Sequence, residues 1–208
     1  MHQTVQNLIN IKEEIKSNFA NKKNYKIPKI IAVSKTFGMD KILPLIEYGH
    51  LDFGENKVQE AIEKWSETKL SNKNIKLHLI GGLQTNKVKL AVKLFDYIHS
   101  VDSDKLAKKI SDEQQKQKKK VRVFIQVNIG NESQKFGVDK LLVPELCAYC
   151  KALDLEVVGL MCIPPFNEPS EIFFKEMSEL NKKLNLEELS MGMSSDCLLY
   201  TSDAADDC

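Results

Sequence analysis

Apolar positions along the chain fall into short runs separated by longer amphipathic stretches. The runs lie at 30–34, 51–53, 77–80, 97–100, 121–128, 157–162 and 189–191. Each is too short for a helix and is β-branched or apolar in character, which predicts a buried strand. Between them, 40–47, 56–65, 87–95, 105–117, 143–153 and 170–184 repeat apolar residues at helical spacing. A further helical pattern occupies the first nineteen residues.

Strands separated by helical crossovers cannot pair as hairpins, so they must lie parallel in a sheet that helices cover. A barrel and a doubly wound open sheet both satisfy this. The open sheet would carry a glycine-rich phosphate loop after an early strand, and neither G-x-G-x-x-G nor G-x-x-x-x-G-K-[ST] occurs. Polar residues instead follow nearly every predicted strand: Lys35, Glu55 and Asn56, Asn128, and the 190–194 segment. A barrel mouth needs that distribution, because all strand ends there face one cavity. The expectation is an α/β fold of the (β/α)8, TIM-barrel type. Seven strands are visible where closure takes eight, so the eighth strand and last helix are missing from the pattern. Residues 1–196 are read as an incomplete barrel domain and 197–208, CLLYTSDAADDC, as an atypical, disordered or non-native tail beyond which the complete protein continues differently.

Composition narrows the class. With 208 residues, 42% of them hydrophobic, the chain has material for one core, and collagen-like, mucin-like and disordered readings are excluded. A net charge of +1 gives no overall field to attract nucleic acid. The basic run 114–120 lacks interleaved aromatics and reads as a solvated helix end. No apolar run is long enough to span a bilayer, and Glu13 and Glu14 interrupt any leader-like N-terminus, so a cytoplasmic address without membrane contact is expected. Five scattered cysteines, an odd count, read as reduced thiols. Cys147 and Cys150 form a C-x-x-C pair inside a helical pattern with no second pair to complete a zinc site, and the four histidines are dispersed, so no metal centre is expected.

Two places carry candidate chemistry. Lys35 closes the 30–34 run, where an apolar stem would hold a partly desolvated amine able to attack an aldehyde; a plain surface lysine is the competing reading. In the 190–196 segment, SMGMSSD, small residues free backbone N–H groups and hydroxyls to face an anion such as phosphate, although glycine and serine are also ordinary loop residues. In LHLIGGLQTNK, Thr85 and Asn86 are read as helix caps and His78 as a hydrogen-bonded core histidine.

Six blocks then combine: AVSKTF at 32–37, FGENKVQE at 53–60, HLIGGLQTNK at 78–87, QVNIGNESQKFG at 126–137, GLMCIPP at 159–165 and LSMGMSSD at 189–196. Together and in this order they resemble the pyridoxal phosphate homeostasis protein family, whose barrel is similar to the N-terminal barrel of alanine racemase. The resemblance covers roughly residues 5 to 196. It implies a barrel that binds pyridoxal 5'-phosphate (PLP), with Lys35 forming the internal aldimine, Asn56 near the cofactor, and Met193 and Ser194 at its phosphate end. In that family the last block is followed by a helix and an eighth strand of the form V-R-I-G-[ST]. Neither occurs here, and the only arginine is Arg122, outside any matching block. The resemblance further implies a monomeric, non-catalytic PLP carrier in vitamin B6 homeostasis, with PLP-dependent apoenzymes as partners. A PLP-dependent amino-acid racemase is the alternative.

Overall fold

The computed structural model describes residues 1–19, 27–131 and 136–193. Helix α1 (Gln3–Phe19) precedes strands β1 (Ala32–Val33), β2 (Asp52–Glu55), β3 (Lys76–Leu79), β4 (Tyr97–Val101), β5 (Arg122–Val127), β6 (Glu156–Cys162) and β7 (Glu188–Ser190). Between them lie α2 (Met39–Glu47), α3 (Val58–Ser71), a 3-10 turn (Thr85–Lys87) leading into α4 (Val88–Leu94), α5 (Asp104–Gln117), α6 (Val143–Ala152) and α7 (Ser170–Lys183). Every neighbouring pair is parallel, and the spatial order of strands is their chain order. A doubly wound sheet would reverse that order at a switch point. The fold is therefore the barrel alternative, with seven strands and no eighth among the described residues. That leaves β1 and β7 as edges.

Period-two alternation decides which side chains face the helices. Phe53, Leu77, Leu79, Ile98, Val123, Ile125 and Leu160 are buried against Trp65, Val92, Ile110, Leu146, Phe174 and Met177. Each such side chain contributes about 1.5–3 kcal/mol relative to exposure. Cys147 and Cys150 lie in this layer, and burial pushes the Cys150 thiol up to about 12, so it packs as a protonated apolar group. The opposite, lumen-side face holds a smaller apolar cluster of Tyr97, Phe124 and Met161.

Two glycines let the sheet close up. A Cβ on Gly159 would stand 1.7 Å from the Glu188 carbonyl oxygen, so β6 and β7 meet only with hydrogen there. Gly137, at φ +121°, has its backbone against Asn128, where 137–138 lies beside the end of β5 and Val138 N–H donates to the Gln126 carbonyl at 2.8 Å.

Two sequence expectations change. Thr85 and Asn86 form the 3-10 turn after Gln84, with no side-chain cap bond, because backbone bonds such as Lys87 N–H to the Gln84 carbonyl serve that start. Nor is 114–120 a freely solvated helix end. Gln114 is buried and its side-chain oxygen accepts the Val121 N–H at 2.6 Å. Lys118 turns left-handed at φ 50°, and the Lys119 amine donates to the carbonyls of Lys93 and Phe95 at 2.9 Å each. Burial lowers Lys119 to about 8.

Candidate functional site

Parallel strands send all their C-terminal ends to one rim. On it, Ser34 is fixed by bonds to β2 and α3. Its N–H donates to the Gly54 carbonyl at 2.9 Å, its hydroxyl to Glu55 Oε1 at 2.7 Å, and its carbonyl accepts the Lys64 amine at 2.6 Å. Lys35 follows directly, inside a turn closed by Phe37 N–H onto the Ser34 carbonyl at 3.1 Å. Continuing the register Ala32↔Phe53 and Val33↔Gly54 by two residues sets Lys35 level with Asn56.

The structure corrects the surroundings expected for Lys35. Strand β1 ends two residues earlier, at Val33, and Lys35 is exposed rather than held by an apolar stem. The physical reason is that β1 is an edge, paired with β2 alone among the described residues. Lys35 lines an open groove of about 480 Å³ with Thr36, Phe37, Gly38 and the Glu60, Glu63 and Lys64 side of α3.

Glu55, read from sequence as a mouth residue, faces the helices instead. It is fully buried, and its Oε1 accepts from Ser34, from Lys64 at 3.0 Å and from Trp65 Nε1 at 2.9 Å, while Oε2 is buried without a partner among the described residues. Asn56 is half-buried on the rim. A Cβ on Gly81 would stand 2.3 Å from the Asn56 carbonyl oxygen, so this glycine lets the loop after β3 press against the end of β2. Met193 is exposed beyond β7, after Gly192 at φ +86°. It shares the rim with Lys35 and Asn56 but follows the opposite edge strand of the sheet. Ser194 and the 197–208 tail lie outside the described residues.

The histidines, dispersed in sequence, are partly gathered in space. Asp52, His78, His99 and Ser190 form a chain across the lumen-side face. Asp52 Oδ1 is 3.1 Å from His78 Nε2, His78 Nδ1 is 2.9 Å from His99 Nε2, and His99 Nδ1 is 2.7 Å from Ser190 Oγ. His78 stacks on Tyr97 and His99 on Phe124, with centroids 4.3 Å apart in both pairs. Burial, reinforced by neighbouring His78, holds His99 well below the usual imidazole range. Burial opposes the charge of Asp52, but the hydrogen bond from His78, with the Lys29 cation nearby, outweighs it and holds the carboxyl below its ordinary value. His78 meets the expectation of a bonded core histidine. Its partners were missed, although LHL in β3 and IHS in β4 each place histidine at the third strand position.

Among the described residues no group of three or more His, Cys, Asp and Glu is placed to hold a metal ion, and no helix is long and apolar enough to cross a membrane.

Comparison with known proteins adds relatives to this geometry. Residues 11–207 match the family model "Alanine racemase, N-terminal domain". The chain is 36% identical over 180 residues to the pyridoxal phosphate homeostasis protein of Vibrio alginolyticus, covering 81% of this chain and 77% of that one. The solved structure of PipY from Synechococcus elongatus without PLP superposes with a TM-score of 0.84 at 31% identity, covering 98% of this chain and 95% of PipY. PipY with PLP bound gives 0.75, at 31% identity and 92% and 94% coverage.

Proposed function

Because the chain belongs to the alanine racemase N-terminal domain family, and within it to the pyridoxal phosphate homeostasis proteins, we propose that it binds PLP covalently through Lys35. In this reading it is a cytoplasmic, monomeric carrier. It sequesters a reactive aldehyde and passes it to PLP-dependent apoenzymes without turning over a substrate itself.

The observation that carries the reading is the placement of Lys35: an accessible primary amine on the barrel rim, next to a residue held by bonds to Gly54, Glu55 and Lys64. When bound, PLP supplies an electrophilic aldehyde at one end and a phosphate at the other. The donor set fits such a ligand. Ser34 orients the backbone that presents Lys35, and the Lys35 amine meets the aldehyde end. Asn56, buttressed by Gly81, borders that position. Met193 and Ser194 serve the phosphate end, where the left-handed turn at Gly192 redirects the backbone after β7.

The test is direct. The full chain titrated with PLP gains a visible absorption band, and borohydride fixes the pyridoxyl group on the peptide containing Lys35. Lys35→Ala loses both signals. A full chain that stays colourless and unmodified in excess PLP sinks the proposal. The carrier half is checked separately: single-enantiomer alanine incubated with the loaded protein remains one enantiomer, and sustained interconversion would favour the racemase alternative.

A further inference from the structure

The Asp52–His78–His99–Ser190 chain crosses four strands, β2, β3, β4 and β7, and ends one residue before the 191–193 segment. With one proton on each ring, hydrogen-bond balance gives the chain a single direction. An ionised Asp52 only accepts, so His78 Nε2 carries a proton and donates it. Neutral His78 then has a bare Nδ1, which accepts from His99 Nε2–H. Neutral His99 has a bare Nδ1 in turn, and the only proton left for the 2.7 Å contact is that of the Ser190 hydroxyl. Both rings are stacked and buried, His78 at 2% and His99 at 1% exposure, and burial holds His99 in the neutral form this arrangement uses.

We propose that this chain is a positioning relay: it commits the Ser190 hydroxyl as a donor to His99, anchors the end of β7 to β2–β4, and so presets the 191–193 backbone for the anionic end of a phosphate-bearing ligand. Ser190 itself is then not a donor to that anion. For it to become one, the whole chain would have to reverse and gain one proton, either on Asp52 with each imidazole in the other tautomer, or on His78 as an imidazolium that donates from both nitrogens. A second proton on His78 would add a positive charge on a buried ring beside Lys29 and Arg122, whose cations both lie over the Tyr97 ring that stacks on it. The charged and titratable groups around the chain reinforce this. Lys29 Nζ lies 3.9 Å from Asp52 Oδ1 and His50 also acts on that carboxyl, while Arg122 bonds the hydroxyl of Tyr97, which stacks on His78. Glu188 stands two residues before Ser190 on β7.

The inference rests on the PLP reading for its ligand but not for its hydrogen bonds, so two arms separate them. Nitrogen-15 NMR of the histidine-labelled full chain reports tautomers. His78 and His99 are expected as Nε2-protonated neutral rings between pH 6.5 and 8, unchanged when PLP is added. A switch of either ring to Nδ1 protonation, or a proton taken up on PLP binding, overturns the relay. The second arm compares PLP with pyridoxal, which lacks the phosphate. Ser190→Ala is expected to weaken PLP about tenfold while leaving pyridoxal near wild type, and Ser190→Thr, which keeps the hydroxyl, restores PLP binding. Equal loss for both vitamers, or loss for neither, overturns the assignment to the phosphate end. If Ser190→Ala does not fold, Ser190→Thr and the tautomer pattern still decide. A colourless wild type defeats the PLP reading and the ligand half of this inference, while the tautomers judge the relay by themselves.

Discussion

The two faces of the sheet carry two buried polar clusters that solve the same problem differently. On the lumen side, Asp52, His78, His99 and Ser190 pass one hydrogen bond to the next, and the two imidazoles each use both ring nitrogens. On the helix side, Ser34, Lys64 and Trp65 all converge on a single oxygen of Glu55, and its other oxygen has no partner among the described residues. The first arrangement ties strands together in series. The second concentrates one charge at a point and fixes the residue that precedes Lys35. A chain tolerates no break without stranding its neighbours, whereas a hub fails only when its centre is removed.

Removing the hub's centre has the largest expected effect. Glu55→Ala strips the largely buried Lys64 amine of its carboxylate, takes the acceptor from the Trp65 N–H, and leaves the Ser34 hydroxyl only the long 3.4 Å contact to the Gly54 carbonyl, and should cost about 3–5 kcal/mol in denaturant unfolding. Glu55→Gln keeps an acceptor oxygen and should cost less. Equal losses for the two variants would show that the charge, not the acceptor, holds the cluster.

The chain is expected to betray itself through pH. His99 stays neutral in the folded state well below the pH at which the unfolded ring, at about 6.5, takes up a proton. Its contribution is therefore fully present above pH 6.5 and declines as pH falls, by about 1.4 kcal/mol per pH unit until the folded ring also protonates. His99→Gln should flatten that limb between pH 6.5 and 5 in stability curves, and a slope unchanged by the substitution would move the acid sensitivity to another group. The smallest effect belongs to a spoke of the hub. Trp65→Phe removes one donor while leaving an aromatic ring against Phe53, and should cost about 1–2 kcal/mol by the same unfolding measurement.

Much of the fold is legible in the sequence because strand and helix periods separate cleanly. Leu77 and Leu79, and Val123, Ile125 and Val127, spell period two, while the α5 stretch spells the helical period. What alternation does not set is register between strands, and the lumen chain depends on it. Asp52, His78, His99 and Ser190 are spread over four strands and meet only once the sheet is assembled. Glu55 reads as a mouth residue because it ends a strand, and the assembled sheet shows that it shares the helix-facing side of β2 with Phe53. The position of Lys35 could be read from the end of an apolar run, but its exposure could not. That follows from β1 having one paired neighbour, a property of the sheet rather than of the segment.

The hydrogen on Gly159 sets the height of a hydroxyl on another strand. With any carbon in its place, the Glu188 carbonyl would be driven out of the ladder, and the whole short strand ending at Ser190 would ride outward with it. One absent methyl on β6 thus acts as a spacer that decides whether an oxygen on β7 comes within reach of an imidazole on β4.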